Sequence, residues 1–189
     1  MDTPLTIRTT AAADLLRRGI RRGLEGLDGI EDDVRSIVED VRNRGDRAVR
    51  DYTERFDGAG SVPSNVEVTP CEIRRAYSAV DESVVEALRR ASDNIRRFHE
   101  RQVQQSWTCI LDDGTQMGQV IRPLARVGVY VPGGTAAYPS SVLMGAIPAR
   151  VAEVSQVIAC TPPGPGGVAN PYVLVAADIA GVDRVFKVG

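Results

Sequence analysis

The residues with the clearest chemical possibilities form one short loop, Val131, Pro132, Gly133, Gly134 and Thr135. Glycine lets backbone N–H groups approach an anion, and a helix that begins after the loop adds positive potential at its N-terminus. The flanks suit such a cradle. An apolar strand over residues 127–130 leads in, an apolar helix leads out, and a second apolar strand and loop carry the pattern to residue 164. This is a parallel β-α-β unit with its glycine turn where a cofactor phosphate could sit. The loop lacks G-x-G-x-x-G, and no acid ends a second strand where it would hold a ribose. On pattern alone a plain tight turn and a nucleotide loop stand level. Tyr130 ends the strand beside the loop, and a core aromatic is the plainer reading of that position.

The remaining reactive side chains are scattered. His99 is the sole histidine, within Phe98, His99 and Glu100 of a helical run. It reads as a surface or packing residue, because no Ser-His-Asp or Cys-His set can be built around it. Cys160 closes a strand, where α/β chemistry gathers, but without a base in sight a buried, inert thiol is the better reading. Three isolated cysteines and one histidine supply no zinc-ligand set. The acid pairs Asp32, Asp33 and Asp112, Asp113 read as a solvated helix and a turn. The Arg doublets at 17–18, 74–75 and 96–97 are interleaved with acids, unlike a nucleic-acid surface.

The elements that must position the loop follow from the apolar periodicity. A short basic helix is expected over 14–22. A longer helical pattern over 30–56 places Val34, Ile37, Val38 and Val41 on one face. Asn43, Arg44, Gly45 and Asp46 break it, and Asp46 can cap its second part. Residues 66–69 read as extended. Thr69, Pro70 and Glu72 form a capping-box start, and Asp81 caps a long helix to about Val103. Asp113 and Gly114 mark a hairpin over 106–123. After the β-α-β run come a stiff loop over 162–167, a helix over 171–180 and an apolar strand over 184–188.

Composition shifts near residue 106: 38 charged residues lie in 1–105 and five in 114–182. The first part is therefore expected to be solvated helix and the second buried sheet with its covering helices. The net charge of −2, with 22 arginines spread along the chain and Lys187 the sole lysine, argues against nucleic acid as a main partner. Three well-separated cysteines argue against a disulfide framework. The opening residues carry acids and no long apolar run, so neither a signal peptide nor a membrane anchor is expected, and a reducing cytoplasm is the default.

Residues 127–150 resemble the cofactor-domain opening of histidinol dehydrogenases. The agreement is collinear. Arg44, Gly45, Asp46, Arg47 and Ala48, then Asp51, Tyr52 and Thr53, then Arg55, Phe56, Asp57 and Gly58 resemble that family's N-terminal helices. Asn94, Ile95, Phe98, His99, Glu100 and Gln102 resemble its long helix. The resemblance implies an α/β fold in which two Rossmann-like domains, related to those of aldehyde dehydrogenases, are joined by small arms in an intertwined homodimer. It implies oxidation of L-histidinol to L-histidine through histidinaldehyde, with two NAD reduced and one zinc per subunit. A family tyrosine that contacts NAD matches Tyr130, and Gly133 and Gly134 would shape the same pocket. The family's catalytic Glu–His pair, its zinc ligands and most of its substrate contacts lie further along its chain. No catalytic or metal residue is therefore assigned here.

Residues 1–126 are expected to form a helical arm, a hairpin and the start of a first α/β domain, and 127–189 to open a Rossmann-like NAD domain that is incomplete. The strand over 184–188 lacks a covering helix, and the N-terminal helices lack an evident sheet. The chain is thus expected to be the front part of a longer dehydrogenase, without turnover alone. A non-catalytic dimerisation module is the alternative. A related dehydrogenase acting on another amino alcohol is a third reading.

Overall fold

The computed structural model describes residues 27–133 and 138–189, so the basic helix expected over 14–22 and the loop residues Gly134 and Thr135 lie outside the described residues. Two compact units divide the chain, Met1–Val49 and Arg50–Gly189.

In the first unit, α1 (Leu27–Arg44) presents Ile30, Val34 and Val38 on an exposed face. Two i,i+4 ion pairs, Glu31–Arg35 at 2.6 Å and Asp40–Arg44 at 2.5 Å, support it by a few tenths of a kcal/mol each, roughly. The helix breaks at a single residue, Gly45, with φ +58°. Asp46 is therefore the first helical residue of α2 (Asp46–Asp57), not its cap. Gly45 N–H still bonds Val41 O and its own carbonyl accepts from Val49 N–H, so the break stays short.

In the second unit α2 ends at Asp57 and Gly58, whose φ of +92° turns the chain into a single 3-10 turn, Ala59–Ser61. The expected capping box opens α3 (Pro70–Ala79): Thr69 Oγ1 accepts from Glu72 N–H, and Glu72 Oε2 accepts from Thr69 N–H. Helix α4 (Glu82–Glu100) stops short of Val103 because its last turn tightens, with Arg101 N–H on Phe98 O and Gln102 N–H on His99 O. Asp81 occupies the N-cap position without a side-chain bond.

Strands β1 (Trp107–Ile110) and β2 (Gln116–Gln119) form the antiparallel hairpin expected around Gly114, which takes φ +82°. Every residue over 101–126 is exposed. The expectation that burial begins near residue 106 is thus corrected. A two-stranded ribbon with no layer against it among the described residues has no inside, and burial resumes after it, with Val127 half-buried and Val131 fully buried.

Strands β3 (Arg126–Tyr130), β4 (Gln156–Thr161) and β5 (Arg184–Lys187) form a parallel sheet in that order. Helices α5 (Pro139–Val151) and α6 (Pro171–Ala180) are its crossovers. Two right-handed crossovers stepping the same way lay both helices on one face. That face carries Val127, Val129, Val157, Ala159 and Val185; a Cβ on Gly145 of α5 would lie 2.7 Å from Val129 Cγ1. Helix α6 is apolar nearly all round, with Val173, Leu174, Val175, Ala176, Ala177 and Ala180 buried. It needs cover on its outer side, and α3 and α4 provide it: α3 packs on α6, and α4 on α5 and α6. The apolar faces of α3 and α4 therefore cover helices instead of a sheet, which gives the N-terminal helices without an evident sheet their partners. The opposite sheet face carries Gly128, Tyr130, Ile158, Cys160 and Phe186, all partly or fully exposed.

The two ends of the sheet are treated differently. At the N-terminal ends of the strands, Arg150 donates to Gly181 O, to Val154 O and to the Asp183 carboxylate, which in turn accepts from Val157 N–H at 2.7 Å. Accepting from Val157, and then pairing with Arg150, outweighs partial desolvation and holds the Asp183 carboxyl below its ordinary range. One guanidinium thus latches the ends of α5 and α6 to β4 and β5. At the outer edge of β5, Val68 N–H bonds Val185 O, and Lys187 N–H bonds Val66 O, so the extended piece expected over 66–69 adds an antiparallel rung. Glu67 grips Arg184 with both oxygens, at 2.8 and 2.7 Å. Buried Lys187 reaches Glu72 Oε1 at 2.6 Å.

Burial pushes the Glu72 carboxyl upward, but hydrogen bonds from Lys187 Nζ and from the Thr69 N–H and hydroxyl, with the lysine charge, outweigh it. Its pKa therefore lies below the ordinary 4.5. Such a group stabilises the fold fully above the unfolded value and loses that contribution as pH falls through the folded value. The unfolding temperature is expected to drop as pH falls below 4.5. Glu72→Gln is expected to flatten that dependence and to cost about 3 kcal/mol at neutral pH, because Lys187 is left buried and unpaired. Melting curves from pH 3 to pH 7 check both.

Candidate functional site

A cleft of about 820 Å³ opens where the Arg150 latch is absent, at the C-terminal ends of β3 and β4. Its size is that of a small-molecule site, and this end of a parallel sheet is where α/β folds place their ligands. The ladder sets its geometry. Val131 N–H bonds Cys160 O and carries the β3–β4 pairing one residue past Tyr130, so Pro132 and Gly133 begin at the rim. From β4 the chain enters Thr161, Pro162 and Pro163, whose fixed φ angles stiffen the facing wall. The two loops touch: a Cβ on Gly133 would sit 2.5 Å from Pro162 Cγ. Only glycine fits there. Gly134, the other expected pocket glycine, lies outside the described residues.

Tyr130 lines this cleft and is 59% exposed. The core-aromatic reading is overturned, for a reason of register. Strand alternation puts Tyr130 on the face opposite α5 and α6, at the last rung of an edge strand. The far wall comes from before the sheet. Gly167, at φ +69°, packs so closely on Pro63 that a Cβ would lie 2.6 Å from its Cα. This brings Ser61 and Asp57 into the lining. Ser61 Oγ donates to Asp57 O at 2.8 Å. Asn170 Oδ1 caps α6 through Tyr172 N–H at 3.0 Å. Among the described residues that line the cleft, Asp57 is the one charged side chain.

Sequence reasoning did not mark Asp57 as a site residue: it follows directly on the helical pattern that ends at 56. A signal was present. An acid in a helix's last turn faces the negative end of the helix dipole, a position that helix stability disfavours by about 0.3–1 kcal/mol.

The other candidates do not converge here. His99 Nδ1 pairs with Gln102 Oε1 at 2.7 Å and its ring meets Phe98 edge-on at 5.2 Å, both on or just past α4. Cys160 is partly buried, and burial raises its thiol pKa, the opposite of what activates a nucleophile. Cys71 and Cys109 are exposed. Asp32, Asp33, Asp112 and Asp113 are exposed as expected. Among the described residues no group of three or more His, Cys, Asp or Glu side chains could hold a metal ion. None of the described helices is long and apolar enough to cross a membrane.

Residues 20–189 match the family model described as histidinol dehydrogenase. Named relatives agree. A histidinol dehydrogenase from Heliobacterium mobile is 57% identical over 156 residues, covering 82% of this chain and 37% of that protein. One from Bacillus subtilis (strain 168) is 45% identical over 186 residues, covering 98% of this chain and 43% of that protein. The crystal structure of histidinol dehydrogenase from Elizabethkingia anophelis superposes with a TM-score of 0.79 at 32% identity, over 85% of this chain and 36% of that one. The chain thus spans well under half the length of the relatives it matches. The family model covers both walls of the cleft, from Asp57 to the proline loop, and with it the chain belongs to the histidinol dehydrogenase family.

Proposed function

We propose that this chain supplies a cofactor-facing part of an enzyme that oxidises L-histidinol to L-histidine through histidinaldehyde, reducing two NAD. The observation that carries the reading is the cleft at the β3 and β4 ends, where Tyr130 stands exposed and Gly133 closes against Pro162. Tyr130, Gly133 and Gly134 hold the cofactor. Residues 127–189 open the cofactor domain, and 1–126 form the arm and the start of the first domain. NAD, when bound, supplies the hydride acceptor.

The chain's own residues bind and orient. Tyr130 offers a flat apolar face and a hydroxyl, a pairing suited to a nucleotide's ring and its polar edge. The glycine at 133 lets backbone approach the ligand, while Pro162 and Pro163 hold the opposite wall without an entropy cost on binding. Zinc belongs to the proposed enzyme by family resemblance. The described residues do not gather a ligand set for it, and its ligands are proposed to lie outside this chain. The enzyme is further proposed to work as a cytoplasmic homodimer.

Calorimetric titration with NAD tests the site. Tyr130→Ala is expected to weaken binding about tenfold, the scale of one lost aromatic contact. Tyr130→Phe, which keeps the ring, is expected to lose less. Unchanged affinity in Tyr130→Ala would remove this residue from the site. Gly133→Ala forces a methyl group against Pro162 and is expected to cost about 1–3 kcal/mol of stability and to weaken NAD binding. An unshifted melting temperature would show that the loops part without strain.

A further inference from the structure

We infer that Asp57 is a specificity-determining residue of the cleft: its carboxylate accepts the hydroxyl hydrogens of the nucleotide's ribose diol and disfavours a ribose that carries a phosphate. This rests on the proposal that NAD occupies the cleft beside Tyr130.

Three features of Asp57 point the same way. The first is its placement. A Cβ at Gly189 would lie 3.1 Å from Asp57 Oδ2 and 3.1 Å from Pro162 Cβ, and Pro162 is the residue that Gly133 touches. The carboxylate therefore flanks the same proline as the glycine loop. The second is its lack of a structural task. Its backbone carbonyl is used by Ser61 Oγ, but among the described residues no side chain or backbone N–H donates to its carboxylate. It also ends α2, where the helix dipole makes a negative charge unfavourable. The contacts among the described residues thus give no reason for an acid at this position, whereas a ligand with hydroxyl donors does. The third is charge. No Lys or Arg is among the described lining residues, so a phosphate on the ribose would meet Asp57 without a compensating cation.

An acid beside the glycine loop is the group that dinucleotide folds aim at the ribose 2′-hydroxyl. Those folds take it from the end of a second strand, and here β4 ends in Cys160 and Thr161, which cannot serve. Helix α2 delivers the carboxylate from outside the sheet, through the turn at Gly58.

The test is titration of the wild-type chain, Asp57→Asn and Tyr130→Ala with NAD, NADP and L-histidinol, with melting curves alongside. Asp57→Asn keeps the shape and removes the charge. It is expected to weaken NAD by about ten- to a hundredfold, the range for a hydrogen bond to a charged group, while NADP is unchanged or improved. Its melting temperature is expected to hold or rise, since an acid leaves a helix C-terminus. Wild-type affinity for NAD in Asp57→Asn, with loss in Tyr130→Ala, would overturn the role of Asp57 and leave the Tyr130 site standing. Equal weakening of NAD and NADP would overturn the diol reading, and so would a loss confined to L-histidinol, which would assign the carboxylate to an ammonium group. No NAD binding by the wild-type chain would remove the cofactor cleft itself, and this inference with it.

Discussion

The chain's one lysine is buried, and the architecture around the cleft depends on how its charge is met. Lys187 closes β5 with its ammonium inside the protein, on Glu72 at 2.6 Å. A charge there without a partner would cost several kcal/mol, so Glu72 cannot be elsewhere. But Glu72 is also the third residue of α3, and its other oxygen closes the capping box on Thr69. One carboxylate therefore fixes the start of a helix and the end of a strand at the same point. The stretch between Pro63 and Thr69 is pinned as a consequence: Glu67 on Arg184, Val66 and Val68 on the β5 backbone, Pro63 under Gly167. That pinned stretch is what carries Asp57 and Ser61 to the cleft.

The sheet shows a matching division of labour. At the N-terminal ends of the strands Arg150 commits its donors to two carbonyls and a carboxylate. At the C-terminal ends the loops are made of glycine and proline, residues that either permit close approach or forbid adjustment. The first end holds the layers together and the second is shaped without being filled. A cleft therefore forms at the second end, and the open face that bears Tyr130, Cys160 and Phe186 continues from it.

Much of this was legible in the sequence, and the reason is locality. The β-α-β run shows because a strand buried under helices reads as an unbroken apolar stretch. The capping box at Thr69 and Glu72 and the turn at Gly114 show because all their partners lie within four residues. What stayed hidden was non-local. Nothing near Lys187 announces Glu72, and nothing near Gly133 announces Pro162. The side of the sheet on which Tyr130 emerges depends on which face the crossovers cover, a choice fixed by handedness and not by the residue itself. The exposed hairpin misled for a related reason. Composition counts charges, and residues 106–126 have few, but burial needs a second layer that composition does not report.

Asp57 shows how such a hidden residue can still be recognised. Local rules predict what a residue should be if only its own element mattered, and an acid closing α2 breaks them. A helix end would be served better by a cation or a neutral residue at that position. Gly58, at φ +92°, then turns the chain sharply, and Ser61 ties the turn back to the Asp57 carbonyl at 2.8 Å. The backbone is thus held firmly while, among the described residues, the carboxylate has no donor. Rigidity of the main chain with an unpartnered side chain is what ligand binding requires and what stability alone does not select, since preorganised groups lose less entropy when a ligand arrives. The violation of a local rule and the convergence on the cleft are independent observations, and they identify the same residue.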